Sequence, residues 1–253
     1  MRVIRVKHRD LIFYAALEGE QVTALDRGIN LKEPIPLDQV SIIPLVVPTK
    51  IICVGLNYHA HAIELGKTVP EEPLLFFKPP SALIGHGQAI VHPRGSEDVH
   101  YEGELAVVIG KPCRKASVDE AAGYIFGFTC ANDVTARDLQ VKDGLYARAK
   151  GFDTFCPLGP WLETDFRVLT DQGIRTLVNG ELRQEGRTSD MIASPVELVS
   201  FISGIMTLNP GDVVLTGTPP GVGPLQPGDT VRVEIEGVGD LENPVVAEET
   251  ASG

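Results

Sequence analysis

The sequence predicts an α+β fold in which β structure dominates. Apolar residues mostly occur in short runs that resemble strands, whereas few stretches carry helix signals. Two Pro-Gly-Asp turns, at 210–212 and 227–229, each precede a strand-like run, and the chain contains 26 glycines. Such turns favour antiparallel hairpins, so we expect a closed or rolled sheet with short helices.

The N-terminal part predicts a small β-rich domain over residues 1–45, followed by a main domain over residues 46–253. Strand-like runs occupy 1–7, 11–17 and 21–25, with polar turns between them. Four prolines between positions 34 and 48 then mark a connector.

The main domain alternates strands with short helices. Helix starts are indicated by Asn57 as a capping residue, by the capping box Ser117–Glu120 and by Ser194 before a proline. In chain order, the predicted elements are a strand over 50–56, a helix over 58–65 ended by Gly66, a strand over 74–77, a strand over 100–110, a helix from 118 to about 123, a buried run over 124–131, a helix from 195 to about 206, and strands over 213–215 and 231–235.

The composition excludes several classes of function. The formal net charge is −12, which repels nucleic acid and anionic membranes. No apolar run approaches the ~18 residues of a membrane-spanning helix, and the N-terminus lacks a signal-peptide core. The four cysteines are widely spaced and form no CxxC pair, which is typical of reduced thiols in a cytoplasmic protein. We therefore expect a cytoplasmic location, with neither nucleic acid nor a membrane as partner.

Three carboxylates lie at strand ends. Glu102 and Glu104 alternate along the start of the strand 100–110, so they share one face about 7 Å apart. Asp133 follows the run 124–131 and can reach the same point from a neighbouring strand end. Like charges this close need a cation between them, and an all-oxygen set favours Mg²⁺, Mn²⁺ or Ca²⁺ over zinc. The alternative interpretation is a solvated strand end whose charges face water.

A second constellation is a histidine–glutamate pair. His61 and Glu64 are three residues apart on the predicted helix, so they share a face. A carboxylate beside an imidazole orients the ring and raises its basicity, as a general base requires. The alternative is an exposed helix pair. His59 is the competing histidine, but its spacing to Glu64 does not suit one helix face.

Isolated cations at Lys78, Arg137 and Lys150 could neutralise the acids or bind an anionic substrate. Gln140 lies three residues beyond Arg137, as in a first helical turn that leaves the acid site. A surface position is the competing interpretation, most of all for Lys78.

The glycine-rich stretch 217–223 does not predict a nucleotide site. It has no GK[ST] ending and lies between predicted hairpins, which argues against a Walker or Rossmann loop. A rigid Gly/Pro turn that offers the Thr218 hydroxyl and backbone amides to a carboxylate fits the sequence better.

Several motifs, taken together and in order, resemble the fumarylacetoacetate hydrolase family, in its prokaryotic-type branch. They extend over about residues 46–246, which is nearly all of the main domain, and their combination is very specific. The motifs are Gly55-Leu56-Asn57-Tyr58 with His61 and Glu64, Phe77-Lys78-Pro79-Pro80-Ser81, Tyr101-Glu102-Gly103-Glu104, Asn132-Asp133-Val134-Thr135-Ala136-Arg137-Asp138, Lys150-Gly151-Phe152-Asp153, Val178-Asn179-Gly180-Glu181 with Ser189-Asp190-Met191, and Gly217-Thr218-Pro219.

The resemblance implies a mixed β-roll catalytic fold and a site of known type. It implies a Mg²⁺ or Mn²⁺ ion on Glu102, Glu104 and Asp133, and a His61–Glu64 dyad under a mobile lid, with Lys150 as a further catalytic residue. It also implies a homodimer and a small anionic 2-oxo acid as substrate. The residues expected to contact that substrate are Asn57, Tyr58, Lys78, Arg137, Gln140 and Thr218.

The implied chemistry is that of the enol or enolate of a 2-oxo dicarboxylate. The leading hypothesis is a 2-hydroxyhepta-2,4-diene-1,7-dioate isomerase or 5-carboxymethyl-2-oxo-hex-3-ene-1,7-dioate decarboxylase in aromatic catabolism. Acylpyruvate hydrolysis and oxaloacetate decarboxylation or tautomerisation are the alternatives, because members of this branch share one site and differ in pocket detail. A hypothesis from another class is a non-catalytic, Ca²⁺-stabilised binding domain, which would give His61, Glu64 and Lys150 no role.

Overall fold

The computed structural model describes residues 1–26, 28–29, 33–165 and 171–249, and it has the predicted α+β fold dominated by β structure. The strands of the described residues are β1 (Arg2–His8), β2 (Leu11–Glu18), β3 (Gln21–Ala24), β4 (Ile35–Pro36), β5 (Ser41–Ile42), β6 (Ile51–Gly55), β7 (Leu74–Lys78), β8 (Leu83–Ile84), β9 (Ile90–His92), β10 (Val99–Tyr101), β11 (Gly103–Ile109), β12 (Ile125–Asn132), β13 (Thr135–Ala136), β14 (Cys156–Glu163), β15 (Gly173–Val178), β16 (Glu181–Arg187), β17 (Val213–Leu215), β18 (Gly223–Pro224), β19 (Thr230–Ile235) and β20 (Gly239–Ala247). The helices are α1 (His59–Glu64), α2 (Val118–Ala121), α3 (Arg137–Asp143), α4 (Tyr146–Lys150) and α5 (Pro195–Ile205), with 3₁₀ turns at Leu37–Gln39, Pro80–Ala82, Ala122–Tyr124 and Thr188–Asp190.

The strands form one large mixed sheet and two smaller sheets. The large sheet has the order β4-β3-β2-β1-β14-β12-β11-β17-β6-β7, with β5 and β8 attached to β1 and β14. The smaller sheets have the orders β13-β10-β18 and β16-β15-β19-β20-β9. Among the described residues, no helix is long and apolar enough to span a membrane.

Strand β11 is buried on both faces, as its continuous apolar run predicts. Leu105, Val107 and Ile109 pack into one core, which also receives apolar residues of α5, whereas Ala106 and Val108 pack into a second core on the opposite face. The strand is therefore fixed from both sides, and its first residues carry the acid site at a rigid position.

The predicted strand 100–110 is not continuous, because it breaks at Glu102. The side chain of Asn132 accepts a hydrogen bond from the Glu102 amide, and the Glu102 carbonyl accepts one from the Asp133 amide. The chain thereby passes from the three-stranded sheet, through β10, into the large sheet, through β11. The expectation that Glu102 and Glu104 lie on one continuous strand is wrong, and the two carboxylates instead lie at a junction of sheets.

The N-terminal strands form a small apolar core of their own and also extend the large sheet. Val3 of β1 pairs with Leu162 of β14, while Ile4, Phe13 and Val22 belong to a separate apolar cluster. The division into domains at 45 and 46 stays a prediction. Residues 250–253, at the end of the predicted main domain, lie outside the described residues.

The helix predictions are mostly confirmed, and one capping residue is wrong. Capping boxes at Ser117 and Ser194 open α2 and α5, and α3 begins at Arg137. Helix α1 begins one residue later than predicted, with Tyr58 rather than Asn57 at its N-cap. The Asn57 side chain is not available to cap, because it bonds the backbone of Ala193 and Thr216.

The two Pro-Gly-Asp turns have different outcomes. The turn at 227–229 leads into β19, which forms the predicted antiparallel hairpin with β20. The turn at 210–212 leads into β17, which runs parallel to β6, so a hairpin was wrong there. The carboxylate of Asp212 accepts hydrogen bonds from the amides of Thr49 and Lys50, which ties this turn to the start of β6. The four cysteines are buried and free, as predicted.

Candidate metal and catalytic site

Glu102, Glu104 and Asp133 converge at one buried point. Their ligand oxygens all lie within 4.8 Å of one another, so the predicted convergence is confirmed. The three residues are only 6%, 2% and 1% exposed, so the alternative of a solvated strand end is wrong.

Local pairing explains why the acids meet. Strands β11 and β12 are antiparallel, with Gly103 opposite Asn132 and Glu104 opposite Ala131. The start of β11 therefore lies beside the end of β12. A hydrogen bond of 2.8 Å from the Asp133 amide to the Glu102 carbonyl holds the two acids next to each other.

Three cations surround two of the acids. Lys150 Nζ lies 2.7 Å from Glu102 Oε2 and 2.7 Å from Asp133 Oδ2, and Lys78 Nζ lies 2.7 Å from Asp133 Oδ1. Arg137 donates to Glu102 Oε1 and to Gln140 Oε1. Lys78 is 1% exposed, so its interpretation as a surface lysine is wrong.

These contacts give Glu102 and Glu104 opposite pKa shifts. Burial alone would raise the pKa of Glu102, but Lys150 and Arg137 outweigh it and hold that pKa well below its usual range. Burial would likewise lower the pKa of Lys150, but Asp133 and Glu102 outweigh it and raise the pKa. Glu102 and Lys150 are therefore both charged at neutral pH.

Glu104 differs because no described cation forms an ion pair with it. Burial raises the pKa of Glu104 well above its usual value, and the neighbouring charges of Asp133 and Glu102 raise it further. The described hydrogen-bond donor to its carboxylate is the amide of Gly217, which lies 2.7 Å from Oε2. A buried carboxylate among other carboxylates, with an all-oxygen donor set, fits a hard divalent cation such as Mg²⁺ or Mn²⁺.

The His61–Glu64 pair is formed as predicted. His61 Nδ1 lies 2.8 Å from Glu64 Oε2, and Glu64 Oε1 accepts a hydrogen bond from the Gly221 amide at 2.8 Å. His61 is buried, whereas the competing His59 is exposed. The interpretation of His61 and Glu64 as a merely exposed helix pair is therefore wrong for the histidine.

One cleft joins the acids to His61. It has an empty volume of about 430 Å³, part of it open to solvent, and its walls include the three acids and His61. The other predicted site residues in its lining are Arg137, Gln140, Lys150 and Thr218.

Besides Glu64, which bonds His61, three predicted site residues lie outside this lining. Asn57 has its amide group bonded to backbone, and Tyr58 is buried with no described hydrogen-bond partner for its hydroxyl. Lys78 contacts the site through a hydrogen bond from its Nζ to Asp133 Oδ1. A direct contact of these three residues with substrate stays a prediction.

Sequence reasoning missed several residues of the cleft wall. Lys67, Phe76 and Tyr146 line the cleft, and the rings of Phe76 and Tyr146 pack in a tilted contact with centroids 4.8 Å apart. Lys67 could have been noticed because it directly follows Gly66, which ends the helix that carries the dyad. The pairing of Phe76 with Tyr146 leaves no local sequence signal.

The model of the fumarylacetoacetate (FAA) hydrolase C-terminal family matches residues 50–246, which include every predicted site residue. The chain belongs to this family. Its members and structural neighbours with named activities include isomerases, decarboxylases and hydrolases, so the protein is an enzyme. Family membership sets aside the alternative of a non-catalytic, Ca²⁺-stabilised binding domain.

Three similar proteins have informative names. A 5-carboxymethyl-2-hydroxymuconate delta-isomerase from Mycobacterium smegmatis is 45% identical, with a TM-score of 0.90 over 99% of this chain and 100% of that one. A 4-hydroxyphenylacetate degradation bifunctional isomerase/decarboxylase from Salmonella dublin is 44% identical over 92% of this chain and 57% of its own length. A fumarylpyruvate hydrolase from Pseudomonas aeruginosa, solved with Mn²⁺ and pyruvate, is 32% identical, with a TM-score of 0.76 over 86% of this chain and 93% of that one.

Proposed function

We propose that the protein is a divalent-metal-dependent enzyme that acts on enol-forming 2-oxo dicarboxylates. The reaction proposed is isomerisation of the 2-hydroxyhepta-2,4-diene-1,7-dioate type, or decarboxylation of the 5-carboxymethyl-2-oxo-hex-3-ene-1,7-dioate type. The observation that carries the proposal is one cleft that holds three buried carboxylates together with a histidine bonded to a glutamate. The names of the mycobacterial and Salmonella relatives support this reaction class.

The carboxylates of Glu102, Glu104 and Asp133 would hold Mg²⁺ or Mn²⁺. When bound, the ion supplies positive charge that stabilises an enolate and so makes a neighbouring C–H or C–C bond labile. The Mn²⁺ in the fumarylpyruvate hydrolase supports a metal of this kind.

The side chains of the cleft have separate tasks in this proposal. His61, oriented by Glu64, moves the proton of the substrate. Lys150 adds a fixed positive charge beside the acids. Arg137 and Gln140, which are bonded to each other, bind the distal part of the substrate. Thr218 binds a carboxylate through its backbone amide, because its hydroxyl hydrogen is donated to the Gly103 carbonyl.

Hydrolysis of an acylpyruvate is the second candidate reaction. The same His61–Glu64 pair can activate water, and the similarity to a fumarylpyruvate hydrolase favours this candidate. Oxaloacetate decarboxylation or tautomerisation requires the same enolate chemistry and belongs to the same test.

The decisive experiment is a panel of 2-oxo acids assayed by loss of enol absorbance. The panel contains the seven-carbon dioates, an acylpyruvate and oxaloacetate, each with Mg²⁺ and with Mn²⁺. We expect turnover of at least one substrate well above the rate with metal alone, and abolition of that turnover by a chelator. The absence of enzyme-dependent turnover across the panel would refute the proposed function, and turnover of the acylpyruvate alone would select hydrolysis.

A further inference from the structure

We propose that Tyr101 is a positioning residue for Glu64 and acts through the backbone of Gly221. The consequence for catalysis rests on the proposed function, because it assumes that the His61–Glu64 pair handles protons. The hydrogen-bonded chain itself is a property of the described residues and can be tested without turnover.

Glu64 needs an external anchor. It is the last residue of a six-residue helix, and its side chain is 33% exposed, so the helix alone does not fix its carboxylate. One oxygen faces His61 Nδ1, and the other accepts the amide hydrogen of Gly221 at 2.8 Å. The position of the Gly221 peptide therefore sets the orientation of the carboxylate that orients His61.

Tyr101 holds the same glycine from the other side. Its hydroxyl donates to the Gly221 carbonyl at 2.9 Å, and Tyr101 pairs with Gly223 across the β10–β18 ladder. A Cβ atom at position 223 would lie 2.8 Å from this hydroxyl, so the glycine leaves the space in which the tyrosine reaches the loop. Tyr101 is only 4% exposed, and its hydrogen bond to Gly221 is partly shielded from competing solvent.

The conformation of Gly221 is itself demanding. Its φ is +101°, and a Cβ atom at this position would lie 2.3 Å from the Arg183 carbonyl oxygen. Only glycine fits this conformation without strain, and the contact from Tyr101 restrains its otherwise flexible backbone.

The rest of the loop is fixed to the acid site. Gly217 donates to Glu104, and the Thr218 hydroxyl donates to the Gly103 carbonyl at 2.9 Å. The fully buried Gln184 donates to Thr218 Oγ1 at 2.7 Å and to the Pro219 carbonyl at 2.8 Å. The loop is thus anchored to the acids at its start, and the Tyr101 contact at Gly221 fixes the end that touches the dyad.

The test is a double-mutant cycle between Tyr101→Phe and Glu64→Ala, with Tyr14→Phe as the matched control. Tyr14 is remote from the dyad in sequence, lies on β2 and packs on Phe126, and its hydroxyl has no described hydrogen bond. We expect Tyr101→Phe to lower kcat by about 5–10-fold, the effect of one lost hydrogen bond, with unchanged metal affinity and little change in KM. In the Glu64→Ala background the same substitution should have no further effect on kcat, because the residue through which Tyr101 acts is absent.

A second measurement, amide hydrogen exchange of Gly221 by NMR, needs no substrate. Glu64→Ala removes the acceptor of this amide, and Tyr101→Phe releases the neighbouring Gly221 carbonyl, so each should accelerate exchange of the amide by roughly 10-fold or more. Tyr14→Phe should leave it unchanged. Unaltered Gly221 exchange in Tyr101→Phe overturns the proposal, and so does an equal loss of kcat in the presence and absence of Glu64. A wild-type protein inactive on the whole panel overturns the proposed function instead, while the exchange measurement still decides the structural link.

Discussion

Glu104 carries the least compensated charge among the described acids of the site. Glu102 and Asp133 each form ion pairs with buried or nearly buried cations, whereas Glu104 has only the Gly217 amide as a described partner. Without metal, its raised pKa means that the folded protein binds a proton there more tightly than the unfolded chain does. The stability linked to that proton is fully present below the unfolded pKa of about 4.3 and is lost as the pH rises towards the folded pKa.

The substitution Glu104→Gln follows from this charge. Glutamine keeps an oxygen for the Gly217 amide but removes the negative charge, so the metal-free variant should be more stable than the metal-free wild type above about pH 4. We expect a rise in Tm of about 2–4 °C at neutral pH in a chelator, the shift that about 1 kcal/mol causes in a protein of this size. Thermal scans across pH provide the measurement, and added Mg²⁺ or Mn²⁺ should stabilise only the wild type. A variant that still binds one equivalent of metal would contradict the assignment of Glu104 as a ligand.

The substitution His61→Ala separates proton transfer from metal binding. Because His61 bonds Glu64 and forms no described contact with the acids, its removal should leave metal affinity intact. We expect kcat to fall by roughly 10²–10⁴, the usual contribution of a general base. Glu64→Gln should have an intermediate effect, because it keeps an oxygen but loses the charge. Oxalate, a planar mimic of a pyruvate enolate, should still bind His61→Ala in calorimetry and should fail to bind Glu104→Gln. Near wild-type turnover by His61→Ala would refute its role.

The sequence identifies these residues more easily than it identifies their surroundings. A spacing of two residues predicts that Glu102 and Glu104 lie close together, and helix spacing predicts the contact of His61 with Glu64, because both signals are local. The burial of Lys78 has no local signal, since a lysine before two prolines resembles a surface residue. Its partner Asp133 lies 55 residues away, and only the three-dimensional fold brings the two together.

At the scale of elements, the strands were more predictable than their assignment to sheets. The run 100–110 has the alternation of a strand, yet it breaks at Glu102, where the backbone amide donates a hydrogen bond to the side chain of Asn132, 30 residues away. The turn at 210–212 also has the sequence of a hairpin turn, but Asp212 bonds the residues before β6 and leads into a parallel pair. Long-range side-chain contacts decide both cases, and sequence patterns within one element do not contain them.

The substitution Asp212→Ala tests this long-range connection. Asp212 is fully buried and accepts hydrogen bonds from Thr49, Lys50 and Asn209, so its removal leaves several donors unsatisfied and Lys50 unpaired. We expect the free energy of unfolding to fall by about 2–3 kcal/mol, the cost of leaving hydrogen-bond donors in a partly buried turn unsatisfied. The matched control is Asp229→Ala in the other Pro-Gly-Asp turn, where the bonds to Gln226 and Asn179 are exposed and the cost should be about 1 kcal/mol. Urea unfolding measures both, and equal losses would contradict a special role for Asp212.

At the scale of the whole molecule, the fold class is predictable from the number of short strands and few helices, whereas the topology is not. The large sheet joins strands from the N-terminal region to strands beyond residue 200, and its parallel pair β6–β17 links segments about 160 residues apart. Sequence patterns show which segments form strands but not which distant strands become neighbours. The family resemblance supplies that missing information for the main domain, since residues 50–246 match one family model.

We propose a homodimer as the assembled form, on the basis of the family resemblance. Each copy has a formal net charge of −12, so two copies repel each other over a distance set by ionic strength. Added salt screens this repulsion, and apolar contacts between copies weaken little in moderate salt, so the dimer should become tighter as salt increases from about 20 to 200 mM. Sedimentation velocity at micromolar concentration should therefore give a mass of about twice the 27.3 kDa of one chain, with a dissociation constant that decreases with salt. A single species near 27.3 kDa at every salt and protein concentration would exclude the dimer. A dissociation constant that increases with salt would show that ion pairs hold the two copies together despite their net charge.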